Sequence, residues 1–264
     1  MATLSELLPL DAVRLDAVAE DWREAVRTAG ELLTATGTST DAYTAEMIGN
    51  VEENGPYLVI APGFALAHAR PSPAVLRTGL SWVRLARPVE FGHESNDPVS
   101  LVVGLAAQDA GAHQAALAGL AKLLADPGTE AALRDAKSAE ALHALLDGPG
   151  GPKAAGGGPG GREPAGGGPA VHRILTVCGN GLGTSLFLKN TLEQVLDRWG
   201  WGPYVTVEAT DTISAKGRAA EAVAVLTSRE IARTLTDMSV PVKVVEDFTS
   251  TAEADGALRD IYDV

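Results

Sequence analysis

Residues 148–170 read GPGGPKAAGGGPGGREPAGGGPA, in which 16 of 23 positions are Gly or Pro and none is a large hydrophobe. No core can form there, so the chain cannot be one continuous globule. The composition is that of a flexible linker, and as a Gly-rich coil it would have a root-mean-square span of roughly 25 to 30 Å. Two domains are therefore expected, over 1–147 and 171–264, each long enough to bury its own modest core. Formal charge divides as −10 before the segment (10 basic, 20 acidic), +1 within it and −4 after it (9 basic, 13 acidic). Neither half carries the clustered Lys and Arg that phosphate neutralisation requires, so no nucleic-acid partner is expected. A basic protein partner is the more natural guess.

The chain has a single cysteine, which excludes an internal disulfide framework and leaves no Cys/His cluster for structural zinc. A reducing, cytoplasmic setting fits. The opening MATLSELLPLDAVRLD lacks the basic start and apolar stretch of a signal peptide, and no run of eighteen uncharged apolar residues suits a membrane span. No metal or nucleotide motif is present, and no cofactor is expected.

That cysteine, Cys178, ends the β-branched run VHRILTVC and opens the loop Cys178-Gly179-Asn180-Gly181-Leu182-Gly183-Thr184-Ser185. The following segment TSLFLKNTLEQVLDRWG has Leu186, Leu188, Leu192, Val195, Leu196 and Trp199 largely at helical spacing, with Gly200 as its stop. YVTVEA, AVAVL and PVKVVE are further strand candidates, separated by DTISAKGRAA and the helix-like SREIARTLTD. Alternating strands and helices predict a parallel, Rossmann-like sheet covered on both faces, with ligands at the carboxyl ends of its strands. Three glycines let backbone N–H groups turn toward one point, and the helix start adds unpaired donors and a positive dipole end. The pattern predicts a phosphate cradle, and the same field favours the thiolate of Cys178.

Near relatives of this pattern fail on single residues. The glycine spacing is G-x-G-x-G, which is not the dinucleotide fingerprint, and no Lys precedes Thr184 or Ser185 as a Walker loop needs. Gly181 stands where a thioredoxin-like motif has its second cysteine. A cysteine-thiolate phosphatase would have Arg at the position of Thr184, so the loop reads as one that carries phosphate rather than hydrolyses it. A lone cysteine is ordinarily a small buried hydrophobe. Its strand-end, glycine-rich, helix-opening context argues otherwise.

Together, VCGNGLGTSLFLKNTLEQVL, DTISAKG and AVAVLTSREIA resemble the IIB domain of the bacterial phosphoenolpyruvate-dependent phosphotransferase system in its ascorbate-type branch, over nearly all of 171–264. The resemblance implies a phosphocysteine carrier, with Cys178 as nucleophile and Gly179 through Ser185 as its phosphate loop. Phosphate would leave for a carbohydrate held by a membrane permease.

The N-terminal half reads as a mixed α/β domain. YLVIA, GLSWVRLA and VSLVVGLAA are strand candidates, and about 17–36, 40–52, GAHQAALAGLAKLLAD and 128–146 are helical. It resembles the IIA domain of the mannitol, fructose and ascorbate type over about 1–147, which implies an α/β sandwich with a mixed sheet. APGFALAHARP then carries the phosphorylated histidine, His68, and AAQDAGAH the second active-site histidine, His113. Ala67 and Ala69 stand where many relatives have Pro and Gly. Without the resemblance, His68 beside apolar residues reads equally as structural, His113 as a surface helix position, and His93 in FGHESNDPV as solvated or supporting. Neutral imidazole is a competent nucleophile near pH 7.

The resemblance implies a fused IIA–IIB component that relays phosphate from the phosphocarrier HPr to His68, then Cys178, then L-ascorbate in a separate IIC permease. That places it in the cytoplasm, peripheral at the inner face of the membrane. The alternative from another class is a phosphorylatable regulatory module without transport. Such modules usually carry a DNA-binding segment, and no basic helix-turn-helix candidate appears here.

Overall fold

The computed structural model describes residues 3–124, 126–147, 172–178, 184–236 and 238–264. The linker expected at 148–170 and the loop residues Gly179, Asn180, Gly181, Leu182 and Gly183 lie outside them. The chain divides into two compact units, Met1–Ala155 and Gly156–Val264.

In the first unit the order is α1 (Leu4–Leu7), β1 (Val13–Ala17), α2 (Trp22–Ala35), α3 (Asp41–Asn54), β2 (Val59–Ala61), β3 (Phe64–His68), β4 (Gly79–Val89), β5 (Val99–Ala106), α4 (Ala110–Leu124), α5 (Pro127–Asp135) and α6 (Ala139–Asp147). The five strands form a mixed sheet ordered β1-β4-β5-β3-β2, in which β3 runs parallel to β5 and antiparallel to β2. The mixed-sheet α/β fold is as the sequence predicts. Its helix α2 is capped by Asp21, which accepts from the Glu24 N–H, and buries Ala25, Val26, Ala29, Leu32 and Leu33 at i, i+3, i+4 spacing. These pack with Tyr43, Met47 and Val51 of α3 against Ala65, Ala67, Val83, Val102 and Ala106 of the sheet. Helix α3 comes so close to α2 that a Cβ on Gly30 would lie 2.1 Å from Thr44 Oγ1.

Strand alternation decides where His68 points. Because Ala65 and Ala67 face the α2/α3 core, Phe64, Leu66 and His68 project from the opposite face. Leu117, Leu120 and Leu124 of α4 are also buried.

Three local expectations are corrected. The helix expected over 17–36 starts at Trp22, because Val13–Ala17 is a strand paired in parallel with β4. The single helix expected over 128–146 is two, since Ser138 breaks it and its Oγ accepts from the Ala141 N–H at 3.2 Å. Strand β3 falls in a stretch read only as apolar surroundings of a histidine.

In the second unit the order is β6 (His172–Cys178), α7 (Ser185–Trp199), β7 (Val205–Asp211), α8 (Thr212–Arg218), β8 (Ala224–Thr227), α9 (Arg229–Ala232), β9 (Val242–Val244) and α10 (Thr251–Tyr262). The four strands are parallel and ordered β7-β6-β8-β9. Leu175 and Val177 pack on the α8/α9 side with Ala215, Val225, Ile231 and Leu235. Alternation turns Thr176 and Cys178 toward α7. Among the described residues of SREIARTLTD, the four-residue α9 is the helix formed. Among the described residues, no helix is long and apolar enough to cross a membrane.

Candidate phosphoryl-transfer sites

His68 ends β3 and is 4% exposed. Its Nδ1 lies 2.9 Å from the Leu66 carbonyl oxygen, which can only accept, so Nδ1 carries the proton and donates. That selects one neutral tautomer and leaves Nε2 with a free lone pair. Burial pushes the His68 pKa below its ordinary value, partly offset by that bond to Leu66. Burial thus favours the neutral ring, and the backbone selects which of its nitrogens keeps the lone pair.

The first turn of α4 brings His113 alongside, with the two rings 5.4 Å apart between centroids. The fold thus joins two histidines 45 positions apart. Burial, and then the proximity of His68, holds the His113 pKa down to about 3. Its Nδ1 is sealed from solvent and has no hydrogen-bond partner among the described residues. Tyr57 meets the His68 ring edge-on, its centroid 6.2 Å away.

His93 is not solvated. It is 5% exposed, and its Nδ1 accepts from the backbone N–H groups of Ser95 (3.2 Å) and Asn96 (3.1 Å). The Asn96 carbonyl in turn accepts from Gly63, which precedes β3, so His93 supports the end of that strand away from His68.

In the second unit, Cys178 ends β6, is 4% exposed, and donates its Sγ proton toward Ser185 Oγ at 3.4 Å. Ser185 begins α7 after Thr184, and both are buried. Two further hydroxyls fix the strand end: Thr176 Oγ1 donates to the Ser185 carbonyl (2.9 Å) and Thr227 Oγ1 to that of Val177 (2.6 Å). Asp211, opposite Cys178 in the parallel register, caps α8 by accepting from Ile213 and Ser214. The start of α7 therefore sits at the carboxyl end of the sheet beside the thiol, where an anion is favoured, whereas the N–H groups that open α8 are already taken by the Asp211 carboxylate. Of the residues expected in the phosphate loop, Thr184 and Ser185 are thus placed, and the other five lie outside the described residues. No group of His, Cys, Asp and Glu able to hold a metal occurs among the described residues.

A neutral buried histidine and a thiol at a strand-to-helix turn are groups whose chemistry is compatible with phosphoryl transfer. Both units match domains of one system. Residues 6–148 match the model of the phosphoenolpyruvate-dependent sugar phosphotransferase system EIIA 2. Residues 173–260 match that of the phosphotransferase-system lactose/cellobiose-specific IIB subunit. The ascorbate-specific EIIA component of Salmonella choleraesuis is 39% identical over 138 residues, which cover 52% of this chain and 90% of that protein. The corresponding component of Escherichia coli K12 is 46% identical over 103 residues, 39% of this chain and 67% of that protein. Among solved structures, the Escherichia coli mannitol-specific cryptic enzyme IIA CmtB aligns with a TM-score of 0.50 and 31% identity, covering 55% of this chain and 98% of that one. The chain belongs to the EIIA type 2 family and, with its IIB domain, is a fused IIA–IIB phosphotransfer component of a sugar phosphotransferase system.

One residue near His68 has no motif of its own. Tyr43, 0% exposed on α3, has its hydroxyl among the backbone groups that end β3 and β5.

Proposed function

We propose that His68 accepts phosphate on Nε2 from phosphorylated HPr, that Cys178 Sγ takes it from His68, and that a carbohydrate in a separate membrane permease takes it from Cys178. The carrying observation is the His68–His113 pair, with Nδ1 of His68 committed to Leu66 and both rings held neutral by burial. In the first step the Nε2 lone pair attacks phosphorus and the donor N–P bond breaks. His113, its ring 5.4 Å from that of His68, binds a phosphoryl oxygen without forming a bond to phosphorus. In the second step the Cys178 thiolate attacks, its proton having gone to solvent, and His68 leaves as neutral imidazole. Ser185 Oγ, already at the thiol, and the backbone donors of the loop from Gly179 to Thr184 then hold the phosphoryl group. In the last step a sugar hydroxyl attacks, and its proton balances the thiol restored at Cys178.

The Gly/Pro-rich composition of 148–170 supports transfer within one chain, at an effective concentration of about the millimolar range. L-ascorbate is the proposed substrate, from the relatives of the first unit. The model matched by the second unit is described by lactose and cellobiose, so the experiment must separate them. With phosphoenolpyruvate, enzyme I and HPr, peptide mapping should find phosphate on His68 and Cys178. Label on other residues instead would contradict the proposal. Added membrane vesicles bearing an ascorbate permease should discharge the label onto ascorbate, and vesicles bearing a cellobiose permease should not. The reverse outcome would reassign the sugar.

A further inference from the structure

The peptide unit between His68 and Ala69 sets the direction in which the histidine leaves its strand, and one side chain holds it. The Ala69 N–H donates to the Tyr43 hydroxyl at 3.0 Å. That hydroxyl has a single proton of its own, directed to the Leu105 carbonyl at 2.8 Å with the Ala69 carbonyl at 3.0 Å as second acceptor. Leu105 is the cross-strand partner of His68. The phenol therefore closes the ladder of both strands immediately beyond the nucleophile, approaching from the α3 side while His113 stands on the α4 side. The grip continues along the loop: Ser72 Oγ donates to Glu46 Oε1 at 3.1 Å and the Thr40 N–H to the Ala74 carbonyl at 2.9 Å. Tyr43 is fully buried, so water cannot replace its hydroxyl if it is removed.

We infer that Tyr43 is a positioning residue for phosphoryl transfer: its hydroxyl fixes the His68–Ala69 peptide and, through it, the ring orientation in which Nδ1–H meets the Leu66 carbonyl and Nε2 is presented to phosphorus. The inference rests on His68 being the phosphate acceptor. It goes beyond that reading by assigning the source of the ring's alignment.

The test is Tyr43→Phe in the full chain, with two readouts. Imidazole ¹⁵N NMR should find His68 as one neutral Nδ1–H tautomer in the wild type and as a mixture in the variant. Single-turnover phosphorylation from phospho-HPr should slow by about 10- to 100-fold, the scale on which small misplacements of a reacting group act, with little change in the donor concentration for half-maximal rate. Val26→Ala, a truncation in the same core at a residue that makes none of these bonds, controls for lost stability and should change neither readout. An unaltered tautomer and rate in Tyr43→Phe, or equal losses in Val26→Ala, would make Tyr43 merely a core residue and overturn the inference. A wild type that takes no phosphate on His68 would instead sink the relay, and the tautomer readout would still decide the role of Tyr43. Should Tyr43→Phe not fold, site-specific 3,5-difluorotyrosine keeps the ring and hydroxyl while weakening the oxygen as an acceptor. An upfield shift of the Ala69 amide with an at least twofold slower reaction is then expected, and a shifted amide at unchanged rate would refute the role.

Discussion

His68→Ala should abolish phosphate on His68 and on Cys178 alike, although the thiol is untouched. In the proposed relay Cys178 has no entry route of its own from phospho-HPr, so its labelling rate should fall by at least about 1,000-fold, as when a covalent nucleophile is deleted. Cys178→Ser should behave oppositely, keeping label on His68 and losing onward transfer, because an alcohol of much higher pKa is a poor substitute for a thiolate. Intact-mass analysis of the two variants under mild, neutral conditions checks both results. Normal labelling of Cys178 in His68→Ala would mean that His68 is structural. Folding is not at stake in that comparison, since Cys178 and its hydroxyl contacts belong to the other compact unit.

The buried histidines should also make the first unit sensitive to mild acid. Both have folded pKa values below the ordinary 6.5, with His113 at about 3. Below about pH 6.5 the unfolded chain binds protons that the folded one refuses, so stability is full above that pH and declines as pH falls toward 3. Each histidine contributes a slope of about 1.4 kcal/mol per pH unit while it stays neutral in the fold. Denaturant unfolding of the wild type between pH 7 and 5 should show this loss, ahead of the carboxylate range. His113→Asn should flatten it by about one histidine's share. A pH-independent wild-type stability across that interval would show that the pair protonates freely, which would remove the reason for a neutral nucleophile.

How far these sites are legible without a structure depends on how local their determinants are. Cys178 is legible because strand, glycines and helix start are contiguous, and the hydroxyls of Thr176 and Ser185 that serve it are within a few residues. His68 is harder. Its strand, Phe64–His68, is buried throughout and has no β-branched residue, so neither alternation nor propensity marks it. His113 sits in an Ala/Leu-rich helix whose periodicity leaves its exposure undecided, and only the resemblance to IIA domains pairs it with His68. Tyr43 leaves no trace in the sequence at all. Its hydroxyl reaches backbone groups 26 and 62 positions away, and backbone acceptors carry no residue code. His93 misleads for the converse reason: a polar loop composition hides a ring buried by its own neighbours' N–H groups.

Mixing two inactive variants measures the proposed transfer of phosphate from His68 to Cys178 alone. Cys178→Ser accepts phosphate on His68 and cannot pass it within its own chain, while His68→Ala has an intact thiol and no supply. Combined with phosphoenolpyruvate, enzyme I and HPr, they should yield phosphocysteine on the His68→Ala chain, at a rate that rises with protein concentration and stays below that of the wild type because the tether no longer helps. Phosphocysteine that fails to appear, with Cys178→Ser fully phosphorylated on His68, would contradict the relay.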